Sequence, residues 1–253
     1  MIPVTAHALP DLMDPATLPG SIAVVIDLLR ASTTITAALD AGAAAVVPCL
    51  EPDDARRLRG DAALNPCLLG GERHGVRIDG FDLGNSPAEY TADAVRGRTL
   101  LFSTTNGTRA VLRAREADRV LIGCLANRAA LCSLLAADGR PVRLVCAGTG
   151  GVITADDCLC AGAIIDALLA AAPGRFGVDE DDQAQLFLAA YRNVREPSAL
   201  LAALRASRGG RNLAEIGLDA DVVGAARADV TGTVPELDRA SQSFRPAADR
   251  PRA

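Results

Sequence analysis

Short apolar runs alternate with longer segments of helical periodicity over the first two thirds of the chain. The runs are apolar at nearly every position, which is typical of strands that are buried on both faces of a parallel sheet. They predict strands at 21–26, 44–47, 66–69, 99–102, 119–122 and 142–146. The intervening and following segments predict helices at 31–41, 52–59, 108–115, 127–137 and 155–171.

The order of these elements predicts the fold class. Strand, helix and strand repeated along a chain imply parallel pairing with right-handed crossovers. We therefore predict an α/β fold, a three-layer α/β/α sandwich with a mostly parallel central sheet and a helical C-terminal segment.

Strand patterns fade beyond residue 173, where helical patterns follow one another. Acidic residues at 179–182 favour a helix start, Pro197 suits the first position of a second helix, and the Gly209-Gly210 pair is predicted to end it. We expect a single domain over 1–253. Within it, 175–230 is a helical appendage and 245–253, rich in Pro and Arg, is a flexible tail.

Composition narrows the classes of function. The 253 residues are 49% hydrophobic and carry a net charge of −5, so we expect neither nucleic acid nor a membrane surface as a partner. The bases are all arginine, and the absence of lysine excludes P-loop kinases and pyridoxal phosphate enzymes. The seven cysteines are odd in number and lie in apolar surroundings, which favours reduced thiols and a cytoplasmic location.

Polar residues follow four of the predicted strands, where an open parallel sheet gathers its ligands. The four groups are Asp27 and Arg30; Glu72 and Arg73, running on to Asp82 and Asn85; Thr104, Thr105, Asn106, Gly107, Thr108 and Arg109; and the glycine-rich loop that precedes Asp156 and Asp157. Small hydroxyls and a glycine before a helix make an anion cradle from backbone N–H groups. We expect these four exits to converge.

Simpler interpretations exist for each group. Asp27 or Asp157 could cap a helix, with Thr154 and Asp157 at the spacing of a capping-box variant. Asn106-Gly107 alone is an ordinary turn signal. Four such loops meeting at one edge of a sheet favour function over these alternatives.

Carboxylates beside an anion cradle, without lysine and with few histidines, suit Mg²⁺, which binds one or two carboxylates together with waters and a phosphate. The hypothesis is magnesium-assisted attack on a small phosphate ester. Cys67 and Arg73 match the spacing of a cysteine phosphatase, but the number of cysteines and arginines makes one chance match unsurprising, and Glu72 would repel phosphate. A dehalogenase-type site would need an acid at Leu29 and a lysine.

The strand exits together resemble the 2-phosphosulfolactate phosphatase family. The blocks are Val-Ile-Asp-Leu-Leu-Arg-Ala-Ser-Thr-Thr at 25–34, Gly-Glu-Arg at 71–73, Gly-Phe-Asp-Leu-Gly-Asn-Ser-Pro at 80–87, Thr-Thr-Asn-Gly-Thr at 104–108, Cys-Ala-Gly-Thr at 146–149 and Cys-Ala-Gly-Ala at 160–163. They occur in the family's order and, with 207–222, extend the resemblance over about 20–235. It implies Mg²⁺-dependent hydrolysis of (2R)-2-phospho-3-sulfolactate to 3-sulfolactate and phosphate, on an α/β/α fold, a step of coenzyme M biosynthesis in methanogens.

The predicted site joins these two lines of reasoning. Asp27 and Glu72 are expected to bind Mg²⁺, with Asp82 and Asp157 as further ligands, and Asp27, Glu72 and Arg30 are the predicted catalytic residues. The predicted substrate-binding residues are Arg73, Asn85, Thr104, Thr105, Asn106, Gly107 and Thr108.

Three questions stay open at the level of sequence. Water could attack directly, or Asp27 could first become phosphorylated. The substrate could instead be another small 2-phospho carboxylic acid, or the protein could bind anions without turnover. An exposed sheet edge or the helical segment could support a homodimer.

Overall fold

The structure, a computed structural model, describes residues 1–248 and has an α/β architecture built on one eleven-stranded mixed sheet. Its strands are β1 (Ile2–His7), β2 (Ile22–Ile26), β3 (Ala45–Cys49), β4 (Cys67–Arg73), β5 (Val76–Arg77), β6 (Thr99–Ser103), β7 (Arg119–Ile122), β8 (Val142–Cys146), β9 (Phe176–Gly177), β10 (Pro235–Asp238) and β11 (Ser243–Pro246). Its helices are α1 (Ala31–Asp40), α2 (Pro52–Leu58), α3 (Ala92–Val95), α4 (Gly107–Ala114), α5 (Arg128–Asp138), α6 (Ala155–Ala171), α7 (Asp182–Asn193), α8 (Pro197–Ala206), α9 (Arg208–Glu215) and α10 (Asp219–Ala225).

Two groups of parallel strands make up most of the sheet, whose order is β5-β4-β6-β3-β11-β10-β7-β2-β8-β1-β9. Strands β4, β6 and β3 form one group, and β7, β2, β8, β1 and β9 form the other. The antiparallel hairpin β10–β11 joins them, pairing Phe244 with Val46 and Glu236 with Leu121. The prediction of a mostly parallel sheet is confirmed.

Strand β2 shows why the central strands are apolar at every position. Ile22, Val24 and Ile26 pack into a core shared with α5 and α6, whereas Ala23 and Val25 pack into a second core with α1 and α4. All five side chains are at most 1% exposed. Helices therefore cover both faces of the sheet, in agreement with the predicted layers.

Close packing of helices explains one glycine of the C-terminal half. A Cβ atom at Gly162 in α6 would lie 2.1 Å from the carbonyl oxygen of Phe187 in α7, so a side chain at this position would push the two helices apart.

None of the helices within residues 1–248 combines the length and the apolar character that crossing a membrane requires.

Two expectations about the C-terminal part are wrong. Gly209 and Gly210 do not end α8; they lie in the first turn of α9, because the hydroxyl of Ser207 accepts a hydrogen bond from the N–H of Gly210 at 2.9 Å and caps that helix. Arg245 and Pro246 do not belong to a tail, because they pair with β10 as part of β11. Residues 249–253 of the predicted tail 245–253 lie outside the described residues.

Candidate active site

Glu72 is a buried carboxylate near the carboxyl end of β4, and three hydrogen bonds hold it. Its Oε1 accepts from the backbone N–H and from the hydroxyl of Thr105, both at 2.9 Å. Its Oε2 accepts from the backbone N–H of Gly75 at 2.7 Å. Thr105 follows β6, and Gly75 lies in the turn between β4 and β5. Glu72 therefore connects the exits of β4 and β6, which the sequence predicts to converge.

Asp27 directly follows β2 and is 8% exposed. Its Oδ1 receives only a long hydrogen bond, 3.4 Å from the N–H of Ala31, and its Oδ2 faces Gly107, where an added Cβ would lie 3.0 Å away. Burial raises the pKa of Asp27 to about 7, and the charge of Glu72 adds to the rise. The exits of β2, β4 and β6 therefore meet at this carboxylate.

Asp157 and Asp156 bring the exit of β8 to the same place from the first turn of α6. Both oxygens of Asp157 accept backbone hydrogen bonds, from Leu28 at 2.8 Å and Gly148 at 2.9 Å. Burial raises the pKa values of both carboxyls, and the charges of Asp156 and Asp27 raise that of Asp157 further. Asp157 thus joins the loops after β2 and β8, whereas Oδ1 of Asp156 is buried without a hydrogen-bond partner among residues 1–248.

Arg30 is a buried cation beside this group, with a side chain that is 3% exposed. Its Nη1 donates to Oδ2 of Asp221 at 2.8 Å, and its Nη2 donates to the carbonyl oxygen of Gly75 at 2.8 Å. Its charge lowers the pKa of Asp27 against the larger effect of burial. Arg30 therefore acts on the carboxylates while it is itself paired with an acid.

Some residues of the turn between β6 and α4 bond to neighbouring loops, whereas another keeps a hydroxyl without a partner within residues 1–248. Thr105 gives its N–H and hydroxyl to Glu72, and Oδ1 of Asn106 accepts from the N–H of Gly150 at 3.0 Å. The hydroxyl of Thr104 is buried without a partner among the described residues. Two residues of the predicted cradle thus hold neighbouring loops in place, and Thr104 keeps a free hydroxyl. Gly107 begins α4, and the hydroxyl of Thr108 is 3.5 Å from the carbonyl oxygen of Cys49.

The contacts of Asp82 are to Leu69 and Arg59, and they give no support to its predicted role as a metal ligand. Its Oδ2 accepts from the backbone N–H of Leu69 at 2.8 Å, its Oδ1 is 3.3 Å from Arg59, and its side chain is 31% exposed. Through these contacts Asp82 holds the loop after β5 against β4. The role of Asp82 as a metal ligand therefore stays a prediction from the sequence.

Arg73 and Asn85 sit closer to the site. The Nη1 of Arg73 donates to the carbonyl oxygen of Glu72 at 2.8 Å, and its Nη2 donates to the hydroxyl of Ser103 at 3.1 Å. Asn85 is buried beside α1, where its carbonyl oxygen accepts from the hydroxyl of Thr34 at 2.9 Å. The side-chain Oδ1 of Asn85 has no partner within the described part of the chain.

The charges of the site fit a hard cation. Four buried carboxylates, those of Asp27, Glu72, Asp156 and Asp157, lie near the buried guanidinium of Arg30, which Asp221 already pairs. Residues 1–248 hold no ready group of three or more His, Cys, Asp or Glu side chains at metal-ligating positions. Mg²⁺ does not need one, since it commonly uses one or two carboxylates and completes its shell with waters and phosphate oxygens.

The sequence does not predict the roles of two acids of the site, Asp156 and Asp221. Asp156 and Asp157 are recognisable as a pair, but their spacing does not show which one keeps an uncompensated oxygen. Asp221 carries no signal that separates it from other acids in the first turn of a helix. Its contact with Arg30 joins residues 191 positions apart, which no local pattern reveals.

Comparisons with known proteins identify the family of this chain. Residues 7–240 match the family model described as 2-phosphosulpholactate phosphatase. A probable 2-phosphosulfolactate phosphatase of Symbiobacterium thermophilum is 44% identical over 206 residues, which are 81% of this chain and 86% of that protein. Proteins with the same name are 38% identical in Caldanaerobacter subterraneus, over 87% of this chain and 91% of the relative, and 40% identical in Deinococcus radiodurans, over 85% and 87%. The chain therefore belongs to the 2-phosphosulpholactate phosphatase family.

The raised pKa of Asp27 predicts a stabilising substitution. A carboxyl whose pKa is about 7 in the fold and about 3.8 when unfolded binds more protons in the folded state between these values, so stability falls as pH rises through this window. In the presence of EDTA at pH 8, Asp27→Asn should raise the free energy of unfolding by about 2–4 kcal/mol. Urea denaturation at pH 8 and pH 4 measures this difference, which should vanish at pH 4.

The matched control is Asp79→Asn, which removes an exposed carboxylate and should leave stability unchanged within about 0.5 kcal/mol. Equal stability of wild type and Asp27→Asn at pH 8 would show that the fold compensates the charge of Asp27.

Proposed function

We propose that this member of the 2-phosphosulpholactate phosphatase family is a Mg²⁺-dependent phosphoric monoester hydrolase that converts (2R)-2-phospho-3-sulfolactate into 3-sulfolactate and phosphate. The observation that supports this most directly is the meeting of Asp27, Glu72 and Asp156, which come from three strand exits, at one buried place. A cytoplasmic location and a homodimer stay predictions from the sequence.

Asp27 and Glu72 would hold the cation, and the unpartnered Oδ1 of Asp156 makes this residue a better third candidate than Asp157. Both oxygens of Asp157 already accept backbone hydrogen bonds, so it would act by fixing the loops that carry the ligands. When bound, Mg²⁺ supplies positive charge to the phosphoryl oxygens and orients water.

The chain's own groups account for the recognition of an anionic ester. The guanidinium of Arg30 would neutralise charge on the phosphoryl group, because its charge already acts on Asp27. The buried hydroxyl of Thr104 can donate one hydrogen bond to a substrate oxygen, and Gly107 leaves room for the substrate beside Asp27. Burial excludes bulk water, which strengthens each of these interactions.

Hydrolysis breaks the bond between phosphorus and the ester oxygen and forms a bond between phosphorus and a water oxygen. One proton leaves the water and one joins the ester oxygen, so the proton balance closes. Direct attack by water and prior attack by Asp27 both satisfy this balance. The stereochemical course at an isotopically chiral phosphoryl group separates the two routes, because one displacement inverts phosphorus and two displacements retain its configuration.

The first functional prediction concerns activity and its metal. Phosphate release from 2-phosphosulfolactate should require Mg²⁺, should stop in EDTA and should resume when Mg²⁺ is restored. Glu72→Gln should lower kcat at least about 100-fold, since it removes a charge while it keeps the side chain's size. Asp82→Asn should keep at least half of the activity, because the contacts of Asp82 are to Leu69 and Arg59 and not to the other carboxylates. Loss of activity in Asp82→Asn with normal stability would restore Asp82 to the ligand set.

The second functional prediction concerns the preference among substrates. If the sulfonate contributes a charged contact, 2-phosphosulfolactate should exceed 2-phospholactate in kcat/KM by at least about 10-fold. A steady-state comparison at one Mg²⁺ concentration measures this ratio. A preference for 2-phospholactate or another 2-phospho acid would reassign the substrate, and binding of these anions without phosphate release would reassign the protein as an anion-binding protein.

The third functional prediction concerns the dependence of Mg²⁺ affinity on pH. Mg²⁺ can bind Asp27 only after the carboxyl loses its proton, and the pKa of this group is about 7 without metal. The dissociation constant for Mg²⁺ should therefore be about 10-fold higher at pH 6 than at pH 8, as calorimetry can measure. In Asp27→Asn the affinity should be lower and nearly independent of pH. Equal wild-type affinities at pH 6 and pH 8 would remove Asp27 from the metal site.

A further inference from the structure

Asp221 lies in α10, in the helical C-terminal segment, and is 6% exposed. Its Oδ2 accepts from Nη1 of Arg30 at 2.8 Å, and its Oδ1 accepts from the hydroxyl of Ser86 at 2.6 Å. Both oxygens are therefore used, by a residue of the loop after β2 and by a residue of the loop that follows β5. A carboxylate from outside the sheet thus ties two strand-exit loops together.

The second donor group of Arg30 extends this connection to Glu72. Gly75 accepts a hydrogen bond from Nη2 of Arg30 through its carbonyl oxygen and donates one to Oε2 of Glu72 through its N–H. Glu72 in turn binds Thr105. A continuous chain of hydrogen bonds, each at most 2.9 Å long, leads from Asp221 to the exit of β6.

Gly75, the shared point of this chain of hydrogen bonds, has a backbone conformation that favours glycine. Gly75 has a φ of +81°, and a Cβ there would lie 3.0 Å from Ile216 in the segment that carries α10. The turn between β4 and β5 is short and its strand partner, β5, has two residues. The β4–β5 ladder flanks this turn, and the hydrogen bonds to Arg30 and Glu72 hold Gly75 within it.

We propose that Asp221 is a positioning residue for the reaction. It holds the guanidinium of Arg30 in place through a charged pair, and through Arg30 and Gly75 it fixes the carboxylate of Glu72. The consequence for catalysis rests on the proposed function, whereas the coupling of Asp221 to the Glu72 turn does not. The C-terminal helical segment is accordingly part of the active site.

The test is a double-mutant cycle on Arg30 and Asp221. Asp221→Asn alone should lower kcat/KM for 2-phosphosulfolactate at least 10-fold, and Arg30→Gln alone should lower it further. The double variant should be no less active than Arg30→Gln, because Asp221 acts only through Arg30. Its resistance to urea should exceed that of Asp221→Asn, because the unpaired buried charge is gone. Losses that multiply in the double variant would overturn the proposal.

Two further variants keep the test independent of folding defects. Asp219→Asn removes an acid from the same helix that pairs with Arg205 at the surface, and it should change kcat/KM less than twofold. Ser86→Ala removes one hydrogen bond of Asp221 and leaves the charges intact, so it should lower kcat/KM two- to fivefold with little loss of stability. An unchanged kcat/KM in both Ser86→Ala and Asp221→Asn would contradict the proposal.

Hydrogen–deuterium exchange separates this proposal from the proposed function. In Asp221→Asn the amides of 72–77 should exchange at least fivefold faster than in wild type, and in Asp219→Asn they should not. This readout needs no substrate and stays valid if wild type fails to release phosphate from 2-phosphosulfolactate, a result that would end the proposed function alone. Unchanged exchange at 72–77 in Asp221→Asn would end the positioning role.

Discussion

The crowding of buried carboxylates at one place is the constraint on which the rest of the site depends. Removing an ionised carboxylate from water is unfavourable, and the neighbouring acids raise the pKa values of Asp27 and Asp157 further. The fold offsets this for Glu72 and Asp157 with hydrogen bonds to both oxygens of each. It does so only weakly for Asp27 and leaves one oxygen of Asp156 without a partner. The remaining charge favours either bound protons or a bound cation, so the proposed affinity for metal and the expected instability without it have the same origin.

Adjacent acids take different roles here because of helix geometry. Successive residues of an α-helix point about 100° apart. Asp157 therefore faces the loops after β2 and β8, whereas Asp156 faces Gly209, where a Cβ would lie 2.9 Å from its carboxylate. A sequence shows that two acids open α6, but the directions of their side chains depend on what packs around them. The sequence could therefore identify Asp156 and Asp157 as a pair, but it could not show that Asp156 keeps the unpartnered oxygen.

The elements that sequence predicted are those with a strong local signal. The strands β2, β3, β4, β6, β7 and β8 are apolar runs, and each predicted boundary lies within a few residues of the observed one. The strands β1, β10 and β11 were missed because they are half-exposed and carry polar residues or proline. The convergence of Asp27, Glu72 and Gly107 followed from strand exits, although β2 and β6 belong to different parallel groups that a hairpin joins. The contacts of Asp82 with Leu69 and Arg59 could not be predicted, because a motif places a loop and does not determine the direction of each side chain.

The helical C-terminal segment supplies partners for two buried charged groups of the strand exits, Asp156 and Arg30. Its α9 brings the N–H of Gly209, which opposes the rise in the pKa of Asp156, and its α10 brings the counter-charge of Arg30. A buried guanidinium that loses its partner costs about 3–5 kcal/mol, a large share of the stability of a typical domain. The strand exits therefore depend on a segment that sequence reasoning described only as an appendage. Asp219 and Asp221, two residues apart, show why the sequence could not reveal this: one pairs with a surface arginine and the other with Arg30, and only the packing of α10 distinguishes them.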